Sequence, residues 1–303
     1  MKKQQNNDIL DDKIEVLGKD WNKIHKRNKI LLIICTIVAI LALLYIIIFV
    51  IPKNKPDTFT QEEIEEIGTE ENVIFNISPT NKQAESIVSI LDTTITIIQE
   101  LDSEKLALSM RIYTPHNAQI ELIVGSDNID SNDQTLVLVA QAADIRGDNQ
   151  DILGDFVFKG EQLANGHSKM GYCAIFDNHI HIGQATTTAY LDSAITKKGY
   201  FFRQYPLVIN GIQIQHKPKN TNIRRALCIW NEKLVVIESQ EHITLDNFSQ
   251  ALTNIGVTSA INLVGGSEAQ GWAITADQKQ IPIATKQRNY QANRTFITFK
   301  NEH

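Results

Sequence analysis

The sequence predicts an α+β fold: a β-rich, mixed-sheet domain with few helices, preceded by one N-terminal transmembrane helix. Three observations predict it. Residues 30–51 form a 22-residue run without a charge. From about Leu106 onward, apolar residues recur with period two in short segments separated by Asn, Asp and Gly, the pattern of half-buried strands. Only one segment in that region carries both the spacing and the caps of a helix.

The apolar run comes first. As a helix, 22 residues span roughly 33 Å, about the thickness of a bilayer's hydrocarbon core. Lys23, Lys26, Arg27 and Lys29 crowd its N-terminal flank, whereas an acidic stretch, QEEIEEIGTEE, follows its C-terminal end. The positive-inside rule then places residues 1–29 in the cytoplasm and the large C-terminal part outside it, in the periplasm of a Gram-negative cell. The run is too long for a cleaved signal, and no small-x-small site precedes Pro52. Charge divides the same way: residues 1–29 hold eight basic and five acidic residues, the rest 21 and 30. An acidic body argues against nucleic acid as a partner.

Residues 52–81, with three prolines and six glutamates, read as an acidic linker, and 82–303 as one domain. Within it, Ile87, Ile90, Leu91, Ile95 and Ile98 fit part of a helical stripe, which Thr93, Thr94 and Thr96 weaken. LALSMRIYTP and AQIELIVG alternate around His116–Asn117 and predict a hairpin. Further strands are expected at TLVLVAQAADI, DFVFKG, GYCAIFD, HIHIG, YPLVIN, IRRALCIW, KLVVIES and SAINLVG. Asp177–Asn178, Asn210–Gly211 and Asn231–Glu232 mark tight turns between them. Thr244 caps a helix whose Leu245, Phe248, Leu252 and Ile255 share a face, and Gly256 stops it. A shorter helix is expected between Thr187 and Lys197. Cys173 and Cys228 lie in apolar strands, where two buried thiols are a better reading than a disulfide.

Four features bear on chemistry. Ala260–Gly266 runs a buried strand into two glycines whose N–H groups are able to turn toward an anion. Asp144, Arg146 and Asp148 follow a very apolar strand. Arg203, Arg224 and Arg225 lie in strands, where alternation lets only one of the last two face the core; an inward guanidinium needs a phosphate, a carboxylate or an acidic side chain such as Asp144 or Glu238. His179-x-His181 places two imidazoles on one strand face, with no third metal ligand near them in sequence, so a surface hairpin is the better reading. Nucleotide-binding loops, a nucleophile elbow and zinc-hydrolase motifs are absent from the sequence, and no cofactor or metal is expected.

The order of segments is more telling than any one of them. AADIRGDN, GDFVFKGEQLANG, YCAIFDNHIHIG, YFFRQYPLVINGIQI, NIRRALCIWNEKLVVIES, a helix and ALTNIGVTSAINLVGGSEAQGWAI, over about 135–275, resemble the phosphodiester glycosidase family, and in particular its diverged, membrane-anchored Bacteroidota type. Arg224, Asn262, Gly265, Gly266 and Ser267 match its motifs directly. The chain departs from them at Val264, where the family has Asp, and at 143–147, where it has an Asn-Gly-Gly-Phe-Phe type segment. The resemblance implies a hydrolase of a sugar-1-phosphodiester or related envelope glycan. In it Arg224 and Arg146 would hold the departing phosphate and Asp144 would serve as the carboxylate. Arg203, Asn262, Gly265, Gly266 and Ser267 would bind substrate. The same scaffold without the family's Asp also suits an inactive glycan- or envelope-binding module.

Overall fold

A computed structural model describes residues 71–77, 87–98, 104–185, 187–217, 219–266, 269–283 and 294–301. The apolar run at 30–51 and its flanks lie outside these residues, as does Ser267. Among the described residues no helix is long and apolar enough to cross a membrane.

Three sheets account for the domain, and every strand pair in them is antiparallel, so the expected mixed sheet is replaced by three antiparallel ones. The first runs β1 (Glu71–Asn76), β9 (His179–Gln184), β8 (Gly171–Phe176), β10 (Tyr200–Gln204), β6 (Phe156–Phe158) and β7 (Glu161–Ala164). The second runs β12 (Ile212–Gln213), β11 (Pro206–Ile209), β15 (Val257–Leu263), β13 (Arg225–Trp230), β14 (Lys233–Ser239), β3 (Lys105–His116) and β2 (Ile87–Ile98). The third runs β17 (Gln280–Pro282), β16 (Gly271–Ile274), β5 (Leu136–Gln141), β18 (Thr295–Lys300) and β4 (Gln119–Val124).

Three predicted turns close hairpins as expected. Asp177 and Asn178 join β8 to β9 with φ of 52° and 60°. Asn210–Gly211 joins β11 to β12, and Asn231–Glu232 joins β13 to β14, also at positive φ. The turn at His116–Asn117 behaves differently. It does not fold β4 back on β3: β3 pairs with β2 and β14, whereas β4 pairs with β18. The chain changes sheets there. The segment expected to be helical is the 12-residue strand β2, since three threonines among isoleucines favour a pleated edge over a helix. Part of the expected linker is also a strand, β1, which pairs along β9.

Two α-helices are present among the described residues, both near their predicted positions. α1 (Ala189–Thr196) lays Leu191 and Ala194 on Tyr172, Ala174 and Phe201 of the first sheet. α2 (Leu245–Asn254) begins where the Thr244 hydroxyl accepts the Asn247 N–H at 3.1 Å, and Gly256 follows its end at φ 86°. Its Phe248 and Leu252 pack on Ala226, Cys228 and Val235 of the second sheet. The opposite faces of the sheets share a central core that includes Leu138, Phe156, Cys173, Ile180, Leu227, Ile261 and Ile297. Cys173 and Cys228 are both buried and free: Cys173 belongs to the central core, Cys228 to the layer under α2.

One junction matters for function. β10 ends at Gln204 in the first sheet and β11 begins at Pro206 in the second, so Tyr205 lies where the strand crosses between them. β5 of the third sheet reaches the same place, because the Val264 N–H donates to the Gln141 carbonyl at 3.1 Å.

Candidate functional site

At this junction four strand ends, of β5, β8, β10 and β15, bring together a buried polar cluster. Lys169, just before β8, is 5% exposed, and its ammonium pairs with Asp144 Oδ2, just beyond β5. The same ammonium donates to Gln204 Oε1 at 3.1 Å and lies 4.8 Å from the centroid of the Tyr205 ring. Asn262, in β15, donates from Nδ2 to the same Gln204 oxygen at 3.3 Å, and the Tyr205 N–H also reaches that oxygen at 3.2 Å. Gln204 Nε2 is buried without a hydrogen-bond partner among the described residues. The Asp144 side chain is 35% exposed, so the cluster opens to solvent through its carboxylate. A buried ammonium needs such a partner, and this one leaves its carboxylate within reach of solvent.

The predicted site residues divide around this cluster. Asp144 and Asn262 are brought together, linked through Lys169 and Gln204. The arginines are not. Arg146 lies on the surface in a two-pronged pair with Asp148, at 3.0 and 2.8 Å. Arg203 is buried against Asp155, its Nε 2.7 Å from the carboxylate and both side chains 1% exposed. Of Arg224 and Arg225, the inward one is Arg225. It pairs with Glu238 and donates to the carbonyls of Val264 and Ile283 at 2.7 and 2.8 Å. Burial nevertheless lifts the Glu238 carboxyl above its ordinary pKa. Arg224 is half-buried, with its guanidinium donating to the Ile243 carbonyl at 3.1 Å and the Asn220 carbonyl at 2.6 Å. A shared guanidinium cluster is thus replaced by separate positions, two of them neutralised inside the protein. Each strand supplies its own acidic neighbour, and a buried cation takes the nearest carboxylate.

The two glycines also find structural employment. The Gly266 N–H donates to the Ile223 carbonyl at 2.8 Å, so it is not turned toward solvent as an anion nest requires. A Cβ at Gly265 would lie 2.1 Å from the same carbonyl, so close backbone approach explains that glycine.

A cleft of about 690 Å³ adjoins the cluster, lined among others by Arg146, Asp151, Gly154, His167 and Ser168. Its walls are the segments that supply the ion pair: Leu153, on the wall, donates its N–H to the Asp144 carbonyl at 2.8 Å, and Ser168 precedes Lys169. Lys169, Gln204, Asp155 and His167 escaped the sequence reading. For Lys169, Asp155 and Gln204 the signal was a charge or amide set into an apolar run, SKMGYCAIF, GDFVF and YFFRQYP, which in a strand marks a buried pair; exposed His167 carried none. His181, half of the His-x-His pair, is buried between Phe176 and Tyr190 rather than on a surface hairpin, and burial lowers its pKa to about 4. Among the described residues no group of three or more His, Cys, Asp or Glu is placed to hold a metal.

The β-rich fold resembles that of a glycosidase catalytic domain at low identity. The likeness is to the zebrafish N-acetylglucosamine-1-phosphodiester alpha-N-acetylglucosaminidase (NAGPA) catalytic domain, auto-inhibited by its pro-peptide. The TM-score is 0.57 at 13% identity, covering 83% of this chain and 97% of that one. A hypothetical protein from Synechocystis aligns with a TM-score of 0.49 at 10% identity, over 70% of this chain and 62% of that one. No family model matches the sequence, and no curated protein does. The family resemblance read from the segments therefore stands as a distant likeness of fold.

Proposed function

We propose that the domain is a hydrolase of a sugar-1-phosphodiester or related envelope glycan, working at the Asp144–Lys169 cluster. The observation that carries this reading is the buried ammonium of Lys169, held by Asp144, Gln204 and the Tyr205 ring at the open end of the cluster. The glycosidase fold of the zebrafish domain supports the reaction class.

A phosphodiester's leaving group departs as an anion, so a fixed positive charge must hold it, whatever proton it also receives. Arg203 is sealed against Asp155, Arg146 is paired with Asp148 and Arg224 is committed to backbone carbonyls, whereas the partner of Lys169, Asp144, reaches solvent, so the phosphate-holding duty is given to Lys169. Asp144 stabilises the oxocarbenium-like centre or activates water, and Asn262, fixed by Gln204, orients the sugar. The purified full chain is expected to release sugar from a GlcNAc-1-phosphodiester, and Asp144→Asn to reduce the rate by about 10²–10⁴-fold. An unchanged rate in that variant refutes the assignment.

A second reading, a glycan- or envelope-binding module without turnover, is favoured by Val264 in place of the family's carboxylate. Saturable glycan binding by the wild type with no product would select it. The proposal also keeps residues 30–51 as a membrane anchor and the domain outside the cytoplasm. The support is the uncharged run with its basic N-terminal flank. Protease added to intact spheroplasts is expected to remove a C-terminal tag; a protected tag refutes that orientation.

A further inference from the structure

We propose that His167 is the proton donor to the leaving phosphate at this site, with Asp155 as its positioning residue. The inference rests on the hydrolase reading and assigns a residue that reading leaves unassigned.

Asp155 is the hub of the argument. Its carboxylate is 1% exposed and receives Arg203 Nε at 2.7 Å and the Gly166 N–H at 2.9 Å. Its own N–H donates to the Gly166 carbonyl at 2.8 Å. Two hydrogen bonds therefore fasten the residue before His167 to a buried, charge-balanced anchor. The Oδ2 atom that accepts Arg203 Nε also lies 3.6 Å from His167 Nδ1, so the ring pairs with the same oxygen as the guanidinium. A carboxylate beside one ring nitrogen sets the imidazole's orientation and leaves the other nitrogen for chemistry. The ring itself is 59% exposed and lines the 690 Å³ cleft.

Position completes the case. Lys169 follows His167 by two residues, so their Cα atoms lie no more than about 7 Å apart. The imidazole thus lines the cleft two residues from Lys169, and Leu153 of the same wall donates its N–H to the Asp144 carbonyl at 2.8 Å. Buried donors sit behind it: Ser168 Oγ and Arg203 Nη2 have no hydrogen-bond partner among the described residues, and Ser168 lines the cleft. Arg146 and Asp151 are charged groups of the same cleft, and Arg203 backs Asp155.

The step balances without a co-reactant other than water. The water oxygen bonds to the anomeric carbon as the bond from that carbon to the phosphate oxygen breaks. Asp144 takes a proton from the water, and His167 gives its ring proton to the departing oxygen. The products are the free sugar and a phosphate monoester, and solvent returns the proton from Asp144 to His167.

The test compares two substrates of the full chain, a GlcNAc-1-phosphodiester and the matching glycosyl fluoride, whose leaving group needs no proton. His167→Gln is expected to lose about 10²–10⁴-fold on the phosphodiester and to retain turnover of the fluoride. Asp155→Asn is expected to lower kcat on the phosphodiester while KM and turnover of the fluoride are kept. Equal losses on both substrates, or none on either, overturn the role of His167 and leave the hydrolase standing. A wild type inert toward both substrates overturns the hydrolase, and the proton donor with it.

Discussion

Arg225→Met removes a buried ion pair of the second sheet, and its cost follows from the structure. Arg225 is fully buried; it neutralises Glu238 and donates to the carbonyls of Val264 and Ile283. Methionine matches the volume but supplies no charge and no donor. Glu238 then keeps only Arg111 and a Gln240 hydrogen bond to offset its burial, a loss of about 3–5 kcal/mol. Domains of this size are typically stable by 5–15 kcal/mol, so the variant should fold but unfold early. With a urea slope of about 2 kcal/mol/M, the midpoint should fall by roughly 2 M, read by tryptophan fluorescence. The loss should shrink as pH falls. Burial already raises the Glu238 carboxyl, and removing Arg225 raises it further, so the folded state takes up the proton first and gains stability on acidification. The double variant Arg225→Met/Glu238→Leu should recover much of the loss, since an apolar pair replaces an ion pair at little cost. A single-variant loss below about 1 kcal/mol, no larger than that of a surface pair, would refute the reasoning.

Two further outcomes follow from burial and space. His216 is buried against Tyr205, and burial lowers its pKa to about 4 from the ordinary 6.5. Between those values the unfolded chain binds the proton more readily. Stability is therefore full above about pH 6.5 and falls as pH drops toward 4, by as much as about 3 kcal/mol; His216→Phe should flatten that slope in urea titrations. Gly265→Ala would press a methyl group 2.1 Å from the Ile223 carbonyl, a backbone atom, so about 1–3 kcal/mol or more should be lost in thermal unfolding. Gly147→Ala meets nothing within 4 Å and should stay within about 0.5 kcal/mol of wild type.

Local chemistry was legible in the sequence; partnership was not. The cap at Thr244, the stop at Gly256 and the three positive-φ turns are set by residues within a few positions, and each is where the sequence puts it. β2 was misread because an isoleucine spacing fits a helical stripe as well as one strand face. The intervening Thr93, Thr94 and Thr96 were the better guide. At Asn117 the turn was recognised, but which sheet receives the next strand depends on β18, nearly 180 residues away. The site shows the same division. Asp144 stood out as a charge at an apolar strand's end and Asn262 through the family resemblance, yet Lys169 and Gln204, which join them, become partners only when three sheets meet. Conversely, Arg203 looked like a ligand group because its partner Asp155 sits 48 residues away, whereas Glu238, 13 residues from Arg225, was among the acidic side chains the sequence offered to an inward guanidinium.

The rate at which the full chain releases sugar from a GlcNAc-1-phosphodiester, measured for Lys169→Met beside Lys197→Met, tests the central claim most directly. Lys197 pairs with Asp177 on the surface and serves as the control for loss of one lysine charge. The account predicts that Lys169→Met loses turnover by at least about a hundredfold while Lys197→Met keeps the wild-type rate. Equal rates in the two variants would contradict it.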